Sequence, residues 1–199
     1  MEHEGATLLS EFIPEVPRPQ ATRYRLVAHP DLPPGAVEAV DVDVIRDGDT
    51  LLLTFMVEGN DHVALPDWVA AARTDDLWKT TCCELFLGVA GDAGYVEFNY
   101  SPSTRWAAYR FAAHRAGGHD LPLAVDPRVD RGDDNSAYLV EVEQSLADLP
   151  RGALEMALTT VIEETDGTKS FWALAHTDWP PDFHNRDCFI ATLPAPEQP

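Results

Sequence analysis

The chain reads as an all-β protein, an antiparallel β-sandwich of jelly-roll type with about ten strands and at most one or two short helical turns. Three observations predict it. Sixteen prolines and 12 glycines divide the 199 residues into short segments, which suits neither a helical bundle nor a βαβ repeat. Several segments alternate apolar and polar residues with the period of two that a half-buried strand requires. Asp47-Gly48 and Asp166-Gly167 stand between such segments, where a tight hairpin needs residues that tolerate positive φ.

The elements follow in order. Residues 1–20, with the run Ile13-Pro14-Glu15-Val16-Pro17-Arg18-Pro19, are expected to form a flexible arm. A single domain is expected over 21–194 and a tail over 195–199, where Pro194, Pro196 and Pro199 end any last strand. Tyr24–Ala28 opens the domain. Val40, Val42 and Val44 alternate with Asp41 and Asp43, and Leu51, Leu53, Phe55 and Val57 return along a partner strand. Thr81–Leu87, Tyr95–Tyr100, Arg105–Phe111 and Tyr138–Glu143 are the next strands. Ser145–Leu149, before Pro150, reads as one helical turn capped by Ser145. Met156–Ile162 and Phe171–His176 pair across Asp166-Gly167, and Asp187–Thr192 is the last strand.

Composition narrows the function. Asp plus Glu number 34 against 14 Lys plus Arg, a net charge of −20. That field repels phosphate backbones and anionic membrane surfaces and attracts cations, so neither nucleic acid nor membrane is an expected partner. The opening MEHEGATLLSEF has no basic n-region and no apolar h-region, and the three cysteines make no disulfide framework. The expectation is a cytoplasmic protein with reduced thiols. The dinucleotide fingerprint, the P-loop, the G-x-S-x-G elbow, H-E-x-x-H and C-x-x-C are absent. Asp41, Asp43, Asp47 and Asp49 are dense enough for calcium, yet strand alternation already accounts for them. His176 and His184 lack a nearby third ligand. No cofactor is expected.

The informative segment runs from Arg73 to Phe111. On its first strand Cys82, Glu84 and Phe86 share one face, and on its second Tyr95, Glu97 and Asn99 do. Carboxylates, an amide, Trp78, Trp106 and Arg105 are thus gathered on or beside one sheet, an unusual mixture for a wet face. Asp75-Asp76-Leu77-Trp78, Glu84-Leu85-Phe86-Leu87, Tyr95-Val96-Glu97-Phe98-Asn99 and Ser101-Pro102 resemble the DOMON-like, family 9 carbohydrate-binding-module-like domains. Trp172-Ala173-Leu174-Ala175-His176, Pro181-Asp182-Phe183-His184 and Asp187-Cys188-Phe189 fit the end of the same pattern. The resemblance covers roughly two thirds of the chain.

It implies a sandwich that binds without catalysing. In sugar-binding members two tryptophans clamp a terminal ring, and polar groups on the sheet bond its hydroxyls. Carried over by spacing, Trp78 is the first clamp, Glu84 the acceptor, Arg105 the cationic donor and Trp179 the second clamp. His176 stands where a polar hydrogen-bonding residue is usual, Asn99 joins the rim, and Trp172 is an alternative to Trp179. The chemistry agrees, since a pyranose offers apolar C–H faces to indole and a rim of hydroxyls to carboxylate, amide and guanidinium groups. Competing readings stay open. They are an internal Glu84–Arg105 ion pair in a purely structural domain, a haem site using Met56 and His176, and a hydrolase using Glu84 and Glu97.

Overall fold

In a computed structural model of the chain, residues 20–133 and 137–196 are described. Residues 1–19 of the expected arm and 197–199 of the expected tail lie outside them. The strands are β1 (Thr22–Ala28), β2 (Ala39–Asp47), β3 (Thr50–Glu58), β4 (Cys82–Gly88), β5 (Tyr95–Tyr100), β6 (Trp106–Phe111), β7 (His119–Asp120), β8 (Arg128–Asp133), β9 (Ala137–Ser145), β10 (Leu154–Glu163), β11 (Lys169–Ala173) and β12 (Ala191–Leu193). Three short 3-10 turns, Asn60–His62, Leu77–Lys79 and Arg186–Cys188, are the helical content of the described residues. All pairing between strands is antiparallel.

One sheet runs β1-β2-β3-β9-β8 and the other β7-β6-β5-β4-β10-β11, with β12 also paired to β10. They meet where Val27 and Ala28 of β1 pair with Ala173 and Trp172 of β11. The β2–β3 hairpin turns at Gly48-Asp49 rather than Asp47-Gly48, since Asp47 still pairs with Thr50 and Gly48 carries the positive φ of 58°. Between the sheets lie Val40, Val42, Leu53 and Phe55 from one side and Leu85, Leu87, Phe98 and Tyr100 from the other. Burying each such large side chain contributes about 1.5–3 kcal/mol. The Tyr100 hydroxyl crosses this core to donate to Oε1 of the fully buried Gln144 at 3.0 Å.

Departures from the sequence reading have local causes. β8, Arg-Val-Asp-Arg-Gly-Asp, carries one large apolar residue, because an edge strand needs little more. Phe171–His176 leaves the sheet after Ala173, and Asp187–Thr192 begins as a 3-10 turn, so only Ala191–Leu193 pairs. Ser145 is the last residue of β9, and its Oγ accepts the Ala147 N–H at 3.4 Å over a single hydrogen-bonded turn. Asp41 and Asp43 are ion-paired with Arg25 (2.6 Å) and Arg23 (2.7 Å), their register partners across β1.

The second sheet is covered on both sides. Every residue of β4 and β5 is buried, where an exposed sandwich face would alternate. Phe183, Cys188 and Phe189, from the long loop 174–190, cover Phe86, Tyr95, Ala157, Val161 and Ala173 on the outer face. Replacing Tyr100 with Phe strands the buried Gln144 oxygen without its donor. It is expected to lower stability by about 1–3 kcal/mol, read as a shift in the denaturant midpoint with unchanged slope.

Candidate functional site

Strand register sets the outer face of the second sheet as a grid. Thr159, Glu84, Asn99 and Ala107 form one row across β10, β4, β5 and β6, and Ala157, Phe86, Glu97 and Tyr109 the next. Glu84 and Glu97 are therefore diagonal neighbours on adjacent strands, roughly 7–8 Å apart at the backbone. Both are almost wholly buried, at 3% and 5% exposure. They lie in a cavity of about 420 Å³, lined also by Asp76, Trp78, Tyr109, Phe111, Arg115, Val161, Phe171, Pro181, Phe183 and His184. That volume falls within the range of about 300–1,000 Å³ typical of small-molecule sites.

Each wall is fixed locally. Trp78 sits in the 3-10 turn Leu77–Lys79, entered through Asp76 in the left-handed region at φ 65°. It is half exposed, with the Lys79 ammonium 5.8 Å from its ring and 2.8 Å from Asp76. Tyr109 is held from outside the sheet. Its hydroxyl donates to Asp75 at 2.6 Å, and Arg73 lies 5.2 Å over its ring while pairing with Asp75 and Asp120. Opposite, Asp182 ties two loops together. It takes Arg115 at 2.8 Å and His114 at 2.6 Å from the loop 112–118, and the His184 N–H at 3.2 Å from its own loop.

A chain of polar contacts runs from that tie to the floor. The Arg115 backbone N–H donates to the Tyr95 hydroxyl at 3.2 Å, the hydroxyl meets His184 Nδ1 at 2.8 Å, and His184 Nε2 stands 3.7 Å from a Glu97 oxygen. His184 is enclosed edge-on by Phe86, Tyr95 and Phe111. Burial, reinforced by the Arg115 charge, pushes it down to about 4, so at neutral pH it is an uncharged hydrogen-bonding ring. Glu97 accepts from the Asn99 amide at 2.6 Å, and Glu84 accepts from the Thr159 hydroxyl at 2.9 Å. Burial and then the Glu97 charge push Glu84 up to about 8, and burial raises Glu97 as well.

The expected residues are distributed unevenly around this cavity. Trp78 and Glu84 line it, and Asn99 lies beside it, engaged with Glu97. Arg105 is absent from the lining, and no Glu84–Arg105 ion pair forms among the described residues; the guanidinium that faces the carboxylates is that of Arg115. His176 bonds the Val27 carbonyl at 2.8 Å and stands 5.0 Å from His29, beside the junction of the sheets. Trp179 is 61% exposed and packs edge-on against His29, two residues before the lining Pro181. Trp172 and Trp106 belong to the core between the sheets. Met56 receives Arg23 at 3.7 Å on the other sheet, and no cluster of three metal-ligating side chains occurs among the described residues.

Sequence reasoning passed over Tyr109, Phe111, Phe171, Phe183 and Arg115. Alternation of Ala107, Tyr109 and Phe111 was a signal for the first two, since an aromatic pair shares the face of Glu97. Arg115 carried none: its partner Asp182 is 67 residues away.

Comparisons with known proteins come from structure alone. No family model matches the chain, and no curated protein sequence does. A Bacteroides uniformis protein for which carbohydrate binding has been proposed superposes with a TM-score of 0.64 at 16% identity, over 84% of each chain. A family 9 carbohydrate-binding module from Caldicellulosiruptor kristjanssonii, in complex with cellotriose, superposes with a TM-score of 0.50 at 10% identity, over 80% of this chain and 75% of the module. The sandwich is thus the fold of the family 9 carbohydrate-binding modules.

Two measurements check the electrostatics. A carboxyl whose folded value is raised contributes stability that is complete below the unfolded value near 4.5 and is lost as pH rises through about 8. The melting temperature is therefore expected to fall over that interval, and to fall less steeply in Glu84→Gln. Asp182→Ala removes the tie between the two loops, and amide hydrogen exchange is expected to accelerate in both 112–118 and 182–185.

Proposed function

We propose that this chain is a non-catalytic binding domain for a small carbohydrate or similar polyhydroxylated molecule, seated in the cavity over Glu84 and Glu97. The observation that carries this reading is the composition of that cavity. Aromatic rings from separate elements surround two buried carboxyl groups that retain unused acceptor capacity. Trp78 and Tyr109 offer flat surfaces for the C–H face of a sugar ring. Glu84, Glu97 and the His184 imidazole offer its hydroxyls both acceptors and donors.

Asn99 acts from beside the floor by orienting Glu97, and Asp182 by setting Arg115 and His184 in place. Arg105, His176 and Trp179 lie outside the lining; Trp179 would meet only the portion of a longer ligand that extends past Pro181. The fold shared with a module in complex with cellotriose supports a carbohydrate over other small molecules of this size. Three free, buried cysteines fit the reducing, cytoplasmic compartment in which we place the protein.

Trp78→Ala tests the site. Half-exposed in the native state, this side chain contributes little to the core, so its removal is expected to change stability by less than about 1 kcal/mol. Binding of a panel of soluble mono- and disaccharides, followed by calorimetry, is expected to weaken at least tenfold. A large loss of stability with undiminished binding would place the ligand elsewhere.

A further inference from the structure

The floor of the cavity holds two carboxyl groups with which none of the surrounding cations forms an ion pair. Arg115 lies at 2.8 Å from Asp182, Lys79 at 2.8 Å from Asp76, and Arg73 within 3.0 Å of both Asp75 and Asp120. Each nearby cation is thus matched by a carboxylate of its own. Glu84 and Glu97 are left with neutral partners: the Thr159 hydroxyl, the Asn99 amide and the His184 ring. Among the described residues no Lys or Arg comes within ion-pair distance of either, and Glu84, which lines the cavity, takes the Thr159 hydroxyl through Oε2.

The walls favour the same sign of charge. Trp78, Tyr109, Phe111, Phe171 and Phe183 present the aromatic rings that attract a cation through their quadrupoles. The net charge of −20 adds a long-range field in the same direction. A neutral hydroxyl can bond one of these carboxyls, but it leaves the mutual repulsion of two buried acids in place. A cation between them removes it, and both carboxyls can then ionise.

Building on the carbohydrate reading, we propose that the ligand is itself cationic, an amino sugar or a related polyhydroxylated amine whose ammonium is held by Glu84 and Glu97 while its ring lies against the aromatic wall. The carboxyls are the charge-recognising groups and the aromatic rings the shape-recognising ones. A secondary or primary ammonium, with several N–H donors, suits two diagonal carboxyls better than a single hydroxyl does.

The test compares matched ligands on the full chain by calorimetry: glucose, N-acetylglucosamine and glucosamine, and the neutral and de-N-acetylated forms of chitobiose. The amines are expected to bind at least tenfold more tightly than their neutral counterparts. In Glu97→Gln and Glu84→Gln that ratio is expected to fall toward one, with folding verified by near-ultraviolet circular dichroism. If one variant fails to fold, the other carries the comparison.

Neutral sugars binding as tightly as amines would overturn the cationic ligand and leave the carbohydrate reading standing. An amine preference that survives in both variants would overturn the assignment of the ammonium to Glu84 and Glu97, because the preference would then arise outside the floor. Cyclohexylamine binding as tightly as glucosamine would instead overturn the carbohydrate reading while keeping the charge. No binding by any member of the series would overturn both.

Discussion

A sheet whose central strands are covered on both faces needs two covers, and this chain builds them from different materials. Inside, β4 and β5 meet the regular sheet β1-β2-β3-β9-β8, whose alternating residues interlock with theirs and leave a continuous apolar core. Outside, they meet the irregular loop 174–190, which supplies Phe183, Cys188 and Phe189. An irregular segment cannot match a pleated surface everywhere. Where it stops short of the sheet, over the row that carries Glu84 and the row that carries Glu97, a cavity remains.

The electrostatics of the cavity follow from that partial cover. Enough of the surface is shielded to raise both carboxyls and to keep His184 uncharged, so the floor is a set of acceptors and donors in poor contact with water. Enough remains open for a ligand to replace that water. The geometry is held by contacts outside the cavity. Asp182 takes Arg115 and His114 from the facing loop, and Asp75 and Arg73 hold Tyr109 from the far side of its ring. The lining residues are thus positioned by partners that stand behind them, as a preorganised site requires.

This arrangement shifts the location of the aromatic surfaces from what spacing along the chain suggests. Trp78 is the one tryptophan in the lining; the other large rings are Tyr109, Phe111, Phe171 and Phe183, supplied by β6, β11 and the covering loop. Trp172 and Trp106, which a motif-based reading could equally have placed in a site, fill the space between the sheets. Trp179 stands on the surface beside His29. A tryptophan in a sequence therefore says that a large ring must be placed, while the packing of the sheet decides whether it is core, wall or exposed edge.

The strands, their alternation and the sandwich class were legible because they depend on local periodicity, which each segment states for itself. Glu84 and Glu97 could each be assigned to a face of its own strand for the same reason, while only the β4–β5 register put the two on a common face. Strand pairing across long intervals, the closure of loop 174–190 over the sheet and the meeting of Arg115 with Asp182 depend on which segments become neighbours in space. No local pattern records that. Arg105 and Arg115 look alike as isolated cations in the sequence. Tertiary structure alone turns one toward Asp182 and the cavity and leaves the other outside it, because the charge that selects between them comes from a part of the chain folded in from far away.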